Sequence, residues 1–472
     1  MRTVTFIATC LILSMNLIFA DANHKPMSFN PTGVDTIGSA SLSTLNLPII
    51  LNNDYGQGYF YENPKTDEER YINQGYASLN VFHYVDAYRS FKQAYLENHK
   101  SIQALVGMNY AVLTQDTSES GARLASTALN MAFNISQSKE ISEQEKVWLN
   151  FSKAFYMIKI GSDQLLKDKS SINPSAAFQE LMAKDGDNLE AQTFIHWILL
   201  NNNNLQYIKA TLEGTLNINN DHPGATHYLL HIAEMVDDIS VAQGHGKALT
   251  KLAPGSAHGQ HMYGHTLPQT GEWEKALEQF LIADEIHKNW ALNNNVPIQE
   301  DWHYAHNLDL LAATYLGLKD YDNALKNWSI SMQFDARAIK KMIGLALATN
   351  QIQLASDTLS QIEGLGIQYR NYVAFLRSEE QFFKSQKIPT QFPNSHFAMI
   401  LSKTYNGTSS EADLSSEYEQ YFTSLFSSGG FDGWSNGFVE LMRAKNIAKA
   451  LKLVTLMTAL EELEVKARTG DI

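Results

Sequence analysis

From Asp67 onward, apolar residues return at spacings of three and four along most of the chain, the period of amphipathic helices. Polar stretches such as DTSESG (116–121) and KDKSSINPS (167–175) punctuate the pattern as turns. The segment beginning DEERYINQGY at Asp67 has an acidic first turn, which suits the positive end of a helix dipole. Ser142 followed by Glu145 predicts a capping box that opens the helix EQEKVWLNFSKAFYMI. NLEAQTFIHWILL (188–200) predicts a further helix, stopped by the asparagine run at 201–204. The alternating pattern of half-buried strands is almost absent. The chain reads as all-α.

Within the helical pattern, small and aromatic residues hold fixed places. Tyr71, Gly75, Ala87, Phe91 and Ala94 fall at the aromatic, small, small, aromatic and small positions of a tetratricopeptide repeat, a helical hairpin of about 34 residues. Ala242 and Pro254 set one later unit starting at Pro223. The next starts at Ala257 and carries Gly264, Ala276, Phe280 and Ala283. A third starts near Ala305 with Leu311, Tyr315, Ala324 and Trp328, and 337–365 reads as a degenerate hairpin. The residues added before the third unit, with Asn293–Asn295 and Pro297, predict a loop insertion. The expected architecture is an α-solenoid, a right-handed superhelix of helical hairpins over 67–365. Residues 366–472 are expected to form a helical C-terminal cap, with a break at FSSGGFDGWSNG.

The ends add a compartment. Arg2 and the apolar run Val4–Phe19, followed by small residues to Ala22, predict a secretory signal over 1–22, and 23–66 reads as an irregular strap. The single cysteine, Cys10, lies inside the signal, so thiolate chemistry and disulfides are excluded from the mature chain. The expected location is periplasmic or secreted, with no membrane span once the signal is removed. A net charge of −14 argues against nucleic acid as a partner.

Candidate chemistry is concentrated in HPGATHYLLH (222–231) and HGQHMYGH (258–265). Seven of the fifteen histidines lie between 222 and 265. His227 and His231 are four apart, as are His261 and His265, so each pair shares one helix face. The pairs are offset by one repeat, since 261 − 227 and 265 − 231 both equal 34. His258 and His306 occupy equivalent places in their units, and Asp309 shares the row of His227 and His261. In such an array these positions line the concave groove, and imidazoles from helices about 8–10 Å apart can meet there. The pattern predicts a transition-metal site, copper or zinc before iron or nickel, from His227, His231, His258, His261 and His265, with His222 and His306 as auxiliary ligands. Asp309, Tyr228 and Tyr263 are expected at a substrate, and a peptide, protein or small molecule in the same groove. His245, His287 and His303 are expected at the surface, and His83 and His196 as cap or core residues. A metalloenzyme, oxidative on copper or iron or hydrolytic on zinc, and a metal-free interaction scaffold are the alternatives. No phosphate-binding glycine loop, nucleophile elbow or HExxH motif occurs.

HPGATHYLLH, HGQHMYGH and WHYAHNLDLL (302–311), with FHYVDAYRSFKQA (82–94), resemble a family of exported bacterial tetratricopeptide-repeat proteins with paired HPGAxHxxxH and HxxHMxxH tracts. The likeness runs from about residue 68 to 345. It implies an exported helical-repeat protein with a histidine site, and no particular reaction. The chain departs from that pattern at Asp309, where the family carries a further histidine, and at Tyr263-Gly264, which replaces Pro-Ser.

Overall fold

The computed structural model describes residues 36–37, 40–201, 203–301, 303–334, 336–362, 370–390, 392–428 and 430–470. The signal over 1–22 lies outside them. Among the described residues the only strands are β1 (Thr36–Ile37) and β2 (Ala40–Ser41), an antiparallel pair. No helix there is long and apolar enough to cross a membrane. After a single turn, α1 (Leu42–Leu45), the helices run α2 (Asp67–Asn80), α3 (Tyr84–Glu97), α4 (Ile102–Gln115), α5 (Glu119–Ser138), α6 (Glu143–Ile160) and α7 (Pro174–Asp185). A π-helical turn at Ala191–Ile195 leads into α8 (His196–Ile198), then α9 (Leu205–Ile218), α10 (Pro223–Met235), α11 (Ile239–Leu252), α12 (Ala257–Thr266) and α13 (Trp273–Asn294). The remainder is α14 (Tyr304–Gly317), α15 (Tyr321–Ser331), α16 (Ala336–Ala348), α17 (Ile352–Ile362), α18 (Arg370–Ser385), α19 (His396–Asn406), α20 (Glu411–Ser428), α21 (Gly430–Leu451) and α22 (Val454–Thr469).

Consecutive helices pack as hairpins: α2 on α3, α4 on α5, α10 on α11, α14 on α15 and α16 on α17. This is tetratricopeptide-like packing, and the small residues explain how the helices come so close. A Cβ on Gly75 would stand 2.6 Å from the Phe91 ring, and one on Gly107 only 2.2 Å from it. The Phe91 ring is fully buried in the notch that the two glycines leave. Gly107→Ala is expected to lower stability by about 1–3 kcal/mol, the usual penalty for forcing atoms into a packed core. Urea unfolding followed by circular dichroism checks this.

The helix starts follow local chemistry. Ser142 and Glu145 form the predicted reciprocal cap, and Thr66 with Glu69 forms a second at α2. The insertion before the third unit takes in the last turn of α13, which buries Trp290 and Ala291, and then runs from Asn295 to Pro297 as turn and irregular chain into a single 3-10 turn at Ile298–Glu300. One expectation is corrected. The FSSGGFDGWSNG break is mostly helix: α21 starts at Gly430, and Gly437 is small because Leu425 and Phe426 press against it, 2.7 and 2.9 Å from where a Cβ would stand.

The chain divides into two compact units, Met1–Tyr263 with Ile282–Trp302 and Gly264–Leu281 with His303–Ile472. In the first, α10 packs against α2 as well as against its sequence neighbours α9 and α11. A linear repeat array places contacts only between adjacent repeats. Here the first hairpin meets a helix that follows it by more than a hundred residues, and that contact builds the site described below.

The strap between α1 and α2 is irregular, as expected, and is fastened by buried polar side chains. Gln74 accepts from the Asn52 amide at 2.8 Å and donates to the Ile50 carbonyl, while Asn73 both accepts from and donates to the Tyr61 backbone at 2.8 Å. Tyr55 donates to Asp86 at 2.8 Å, which also holds Arg89 at 2.7 Å. Such pairing is what allows extended backbone to lie buried against helices. In the second unit, helices α18 to α22 build a core around Phe375, Phe397, Tyr418, Phe422 and Leu441, with a buried Glu379–Arg443 ion pair.

Candidate functional site: a buried trio of histidines

The sequence HPGA starts α10 in a way that fixes everything after it. His222 is the N-cap: its Nδ1 accepts from the Ala225 amide at 3.3 Å. Pro223 takes the first helical position, where no amide proton is needed. Gly224 leaves room for Asn80 of α2, whose side chain would lie 2.5 Å from a Cβ there. With Asn80 seated, its backbone carbonyl comes 2.6 Å from Nδ1 of His227, and its side-chain oxygen accepts from the Tyr228 hydroxyl at 3.0 Å.

Three imidazoles then converge. His227 Nε2 lies 3.0 Å from His231 Nε2 and 3.0 Å from His258 Nε2, and all three side chains are buried. The contact with the Asn80 carbonyl requires the proton of His227 on Nδ1, so its Nε2 presents a lone pair to the other two. His231 turns its Nδ1 toward Glu234 at 3.7 Å, which favours a proton there and a lone pair at its Nε2 as well. Imidazoles whose second nitrogen faces a carbonyl or a carboxylate are the usual arrangement of metal ligands. Two nitrogens bound at about 2.0–2.1 Å stand about 2.9 Å apart at right angles and about 3.3 Å apart at the tetrahedral angle, and the 3.0 Å spacings here fall between the two. Burial, with His231 beside it, pushes the His227 pKa well below the usual range, so the ring is neutral and able to donate to a cation.

Aromatic rings close the trio. Phe82 places its ring centroid 4.6, 5.7 and 4.9 Å from those of His227, His231 and His258. Trp197 stacks on Tyr228 at 4.6 Å and on His231 at 5.4 Å. Phe82 has φ +60°, left-handed backbone that costs a bulky side chain on the order of 1–3 kcal/mol.

The histidine-lined open groove is corrected. His227, His231 and His258 are at most 5% exposed, because the end of α2 lies across α10. His222 is corrected as a ligand: Nδ1 is spent on the cap, and Nε2 faces Thr193 at 3.4 Å and Glu190 at 3.8 Å. Tyr228 is a fully buried packing residue with its hydroxyl taken by Asn80, rather than a substrate contact. His261 lies one turn beyond His258, with ring centroids 5.9 Å apart, and is buried; Tyr263 is half-buried against Gly246. His265, half-buried, and His306, buried, belong to the second compact unit, where His303 and His306 ring centroids stand 5.5 Å apart. Asp309, in that unit too, accepts from Trp328 at 2.6 Å and pairs with Lys341 at 2.5 Å, so it is engaged in an ion pair rather than poised as a base. His287 and His303 are buried, not surface residues, and His287 pairs with Asp301. His196 is a core residue bonded to the Ala191 carbonyl, and His83 stands at the N-cap position of α3 without a side-chain capping hydrogen bond, its ring stacking on Tyr55 at 4.7 Å.

Four contributors to the site were not singled out from the sequence: Asn80, Phe82, Trp197 and Glu234. Only Glu234, three residues after His231, carried a signal in helix spacing.

No protein-family model matches this chain, and no curated protein matches it. Solved structures do. The chain is 12% identical to a chain of the APC/C hetero-tetramer Cut9–Hcn1, covering 85% of this chain and 72% of that one, with a TM-score of 0.33. It is 12% identical to the human IFIT1 dimer with PPP-AAAA (86% and 95% covered, TM-score 0.31) and 11% identical to a monomeric IFIT1 mutant with Gppp-AAAA (86% and 96%, TM-score 0.33). Similarity this slight carries no information about the histidines, whose reading rests on their own geometry.

The cap has a pH consequence. Burial pushes the His222 pKa down to about 3, so the folded state holds this ring neutral while the unfolded chain protonates it near 6.5. The unfolded state therefore binds the extra proton below pH 6.5, and this contribution to stability is whole above that pH and lost as pH falls toward 3. Neighbouring Glu190, buried and raised to about 7, has the opposite sign: its effect erodes stability as pH rises from 4.5 to 7. His222→Asn keeps a capping side chain and removes the proton. Its urea-unfolding free energy is expected to fall less steeply below pH 6.5 than that of wild type, by the slope of one proton.

Proposed function

We propose that the protein is an exported helical-repeat protein that binds one divalent first-row transition metal ion, zinc or copper, through His227, His231 and His258. The observation that carries this reading is the pair of 3.0 Å contacts among three buried Nε2 atoms, with the His227 Nδ1 proton committed to the Asn80 carbonyl. A single proton between His227 and its neighbours answers one of those contacts, whereas a cation accepts all three lone pairs. The ligand set is neutral and free of thiolate, which suits a metal that takes imidazole readily. The bound ion would retain its full positive charge in apolar surroundings, a setting in which further ligands or anions bind strongly. The helical-repeat surface remains available to a peptide or protein partner, as the fold class allows.

The test is elemental analysis of the mature protein purified without chelators, followed by titration of the stripped protein with zinc. The expected result is one equivalent of zinc bound per chain. A stripped protein that takes up no zinc or copper refutes the reading.

A further inference from the structure

We propose that Phe82 is the residue that seals the histidine centre: a strained turn position given over to an aromatic ring that keeps water off the metal and so governs how slowly it is lost. This deepens the reading above and rests on it.

The first observation is a comparison among the hairpins of the chain itself. Five turns between consecutive helices, α2 to α3, α10 to α11, α12 to α13, α14 to α15 and α16 to α17, each contain one residue with positive φ two places before the second helix, whereas the α4 to α5 turn contains none. These are Phe82 (φ +60°), Asp237 (+59°), Gly271 (+74°), Lys319 (+62°) and Asn350 (+61°). Four of the five are Gly, Asn, Asp or a solvent-facing lysine. Glycine, asparagine and aspartate are the residues that tolerate left-handed backbone. Asp237, Lys319 and Asn350 all point to solvent. Only the turn at the end of α2 carries a large apolar side chain, and only there is that side chain buried. The turn does not need a phenylalanine; the other four are made without one.

The second observation is where the ring goes. It lies within 4.6–5.7 Å, centroid to centroid, of all three histidines of the trio. It leaves the chain two residues after Asn80, whose carbonyl sets the His227 tautomer. The same turn thus orients one ligand through its backbone and covers all three through its side chain. An apolar shell around a metal controls solvent access and local dielectric. The trio supplies three ligands where a closed tetrahedral site has four, so the number of waters admitted beside them decides both coordination number and exchange rate.

Phe82 is a positioning and shielding residue, and the test needs a readout that simple packing would not move. Cobalt(II) serves as the probe, because its visible absorption is intense when four-coordinate and weak when water raises the coordination number. Wild type, Phe82→Asn and Phe82→Leu, each as the full mature chain, are loaded with one equivalent of cobalt. Release to excess EDTA is then timed, and melting is followed by circular dichroism. Asparagine, the residue found at the same place in Asn350, relieves the backbone, so Phe82→Asn should melt no lower than a few degrees below wild type. Its cobalt should nonetheless leave at least tenfold faster and absorb more weakly. Phe82→Leu keeps the strain and an apolar side chain but not the ring, and should release cobalt at least threefold faster; it decides the matter if the asparagine variant does not fold. Wild-type release rates and spectra in a folded variant overturn the role of Phe82 alone. Wild type that binds no cobalt overturns the metal reading, and this inference with it.

Discussion

Replacing His227 by alanine is expected to abolish stoichiometric zinc binding, with a loss in affinity larger than the roughly 10–100-fold that follows removal of a mere outer-shell partner. His227 stands at the middle of the trio: it is the ring that both of the others approach at 3.0 Å. Without it, His231 and His258 are left to bind as two separate imidazoles from α10 and α12, and a chelate of three becomes at best one of two. His258→Ala should weaken binding in the same direction while leaving the His227–Asn80 contact intact, which separates the loss of a ligand from the loss of a structural hydrogen bond. Isothermal titration of stripped proteins, with circular dichroism to verify the fold, provides the comparison. Unchanged affinity in a folded His227→Ala protein would show that the metal, if any, sits elsewhere.

The largest effect on stability is expected in the second unit, at Arg443. Its guanidinium pairs with Glu379, both side chains being almost wholly inaccessible, and lies over the rings of Phe375 and Phe397 at 5.6 and 5.4 Å. Burial raises the Glu379 pKa, against the pull of Arg443. Arg443→Leu removes the only cation that the carboxylate pairs with among the described residues and should cost about 3–5 kcal/mol, the range for breaking a buried pair. The double variant Arg443→Leu with Glu379→Leu should recover much of that loss, since two apolar side chains no longer require desolvation of charge. Urea unfolding of the two variants and wild type measures the difference. A single variant as unstable as the double one would mean that packing by the arginine stem, not the charge pair, dominates.

How far the sequence foretold this architecture differs from element to element. The hairpins were legible because Gly75, Phe91, Gly264 and Phe280 follow a fixed repeat, and close helix packing leaves few residues able to occupy those places. The histidine pairs were legible for the same reason: i, i+4 spacing and a one-repeat offset are geometric facts about helices. What could not be read was which face of α10 would be covered. That depends on the packing of α2 against α10, two helices joined by more than a hundred residues, and no local pattern encodes it. Hence the expected groove is a buried cluster, and His222, in phase with nothing, proves to be a helix cap. The roles of Asn80 and Phe82 are not legible in sequence, because one acts through its backbone carbonyl and the other through an unusual φ, neither of which a residue name reveals. The burial of His287 is not legible in sequence either, because its partner, Asp301, comes from beyond the end of α13, outside any helical period.

The central claim is that the Nε2 atoms of His227, His231 and His258 share one cation. X-ray absorption at the zinc edge, on protein loaded with a single equivalent, tests it most directly. The expected spectrum contains nitrogen scatterers at about 2.0–2.1 Å with the outer-shell signature of three imidazole rings. A first shell of oxygen alone, with no imidazole multiple scattering, would contradict it.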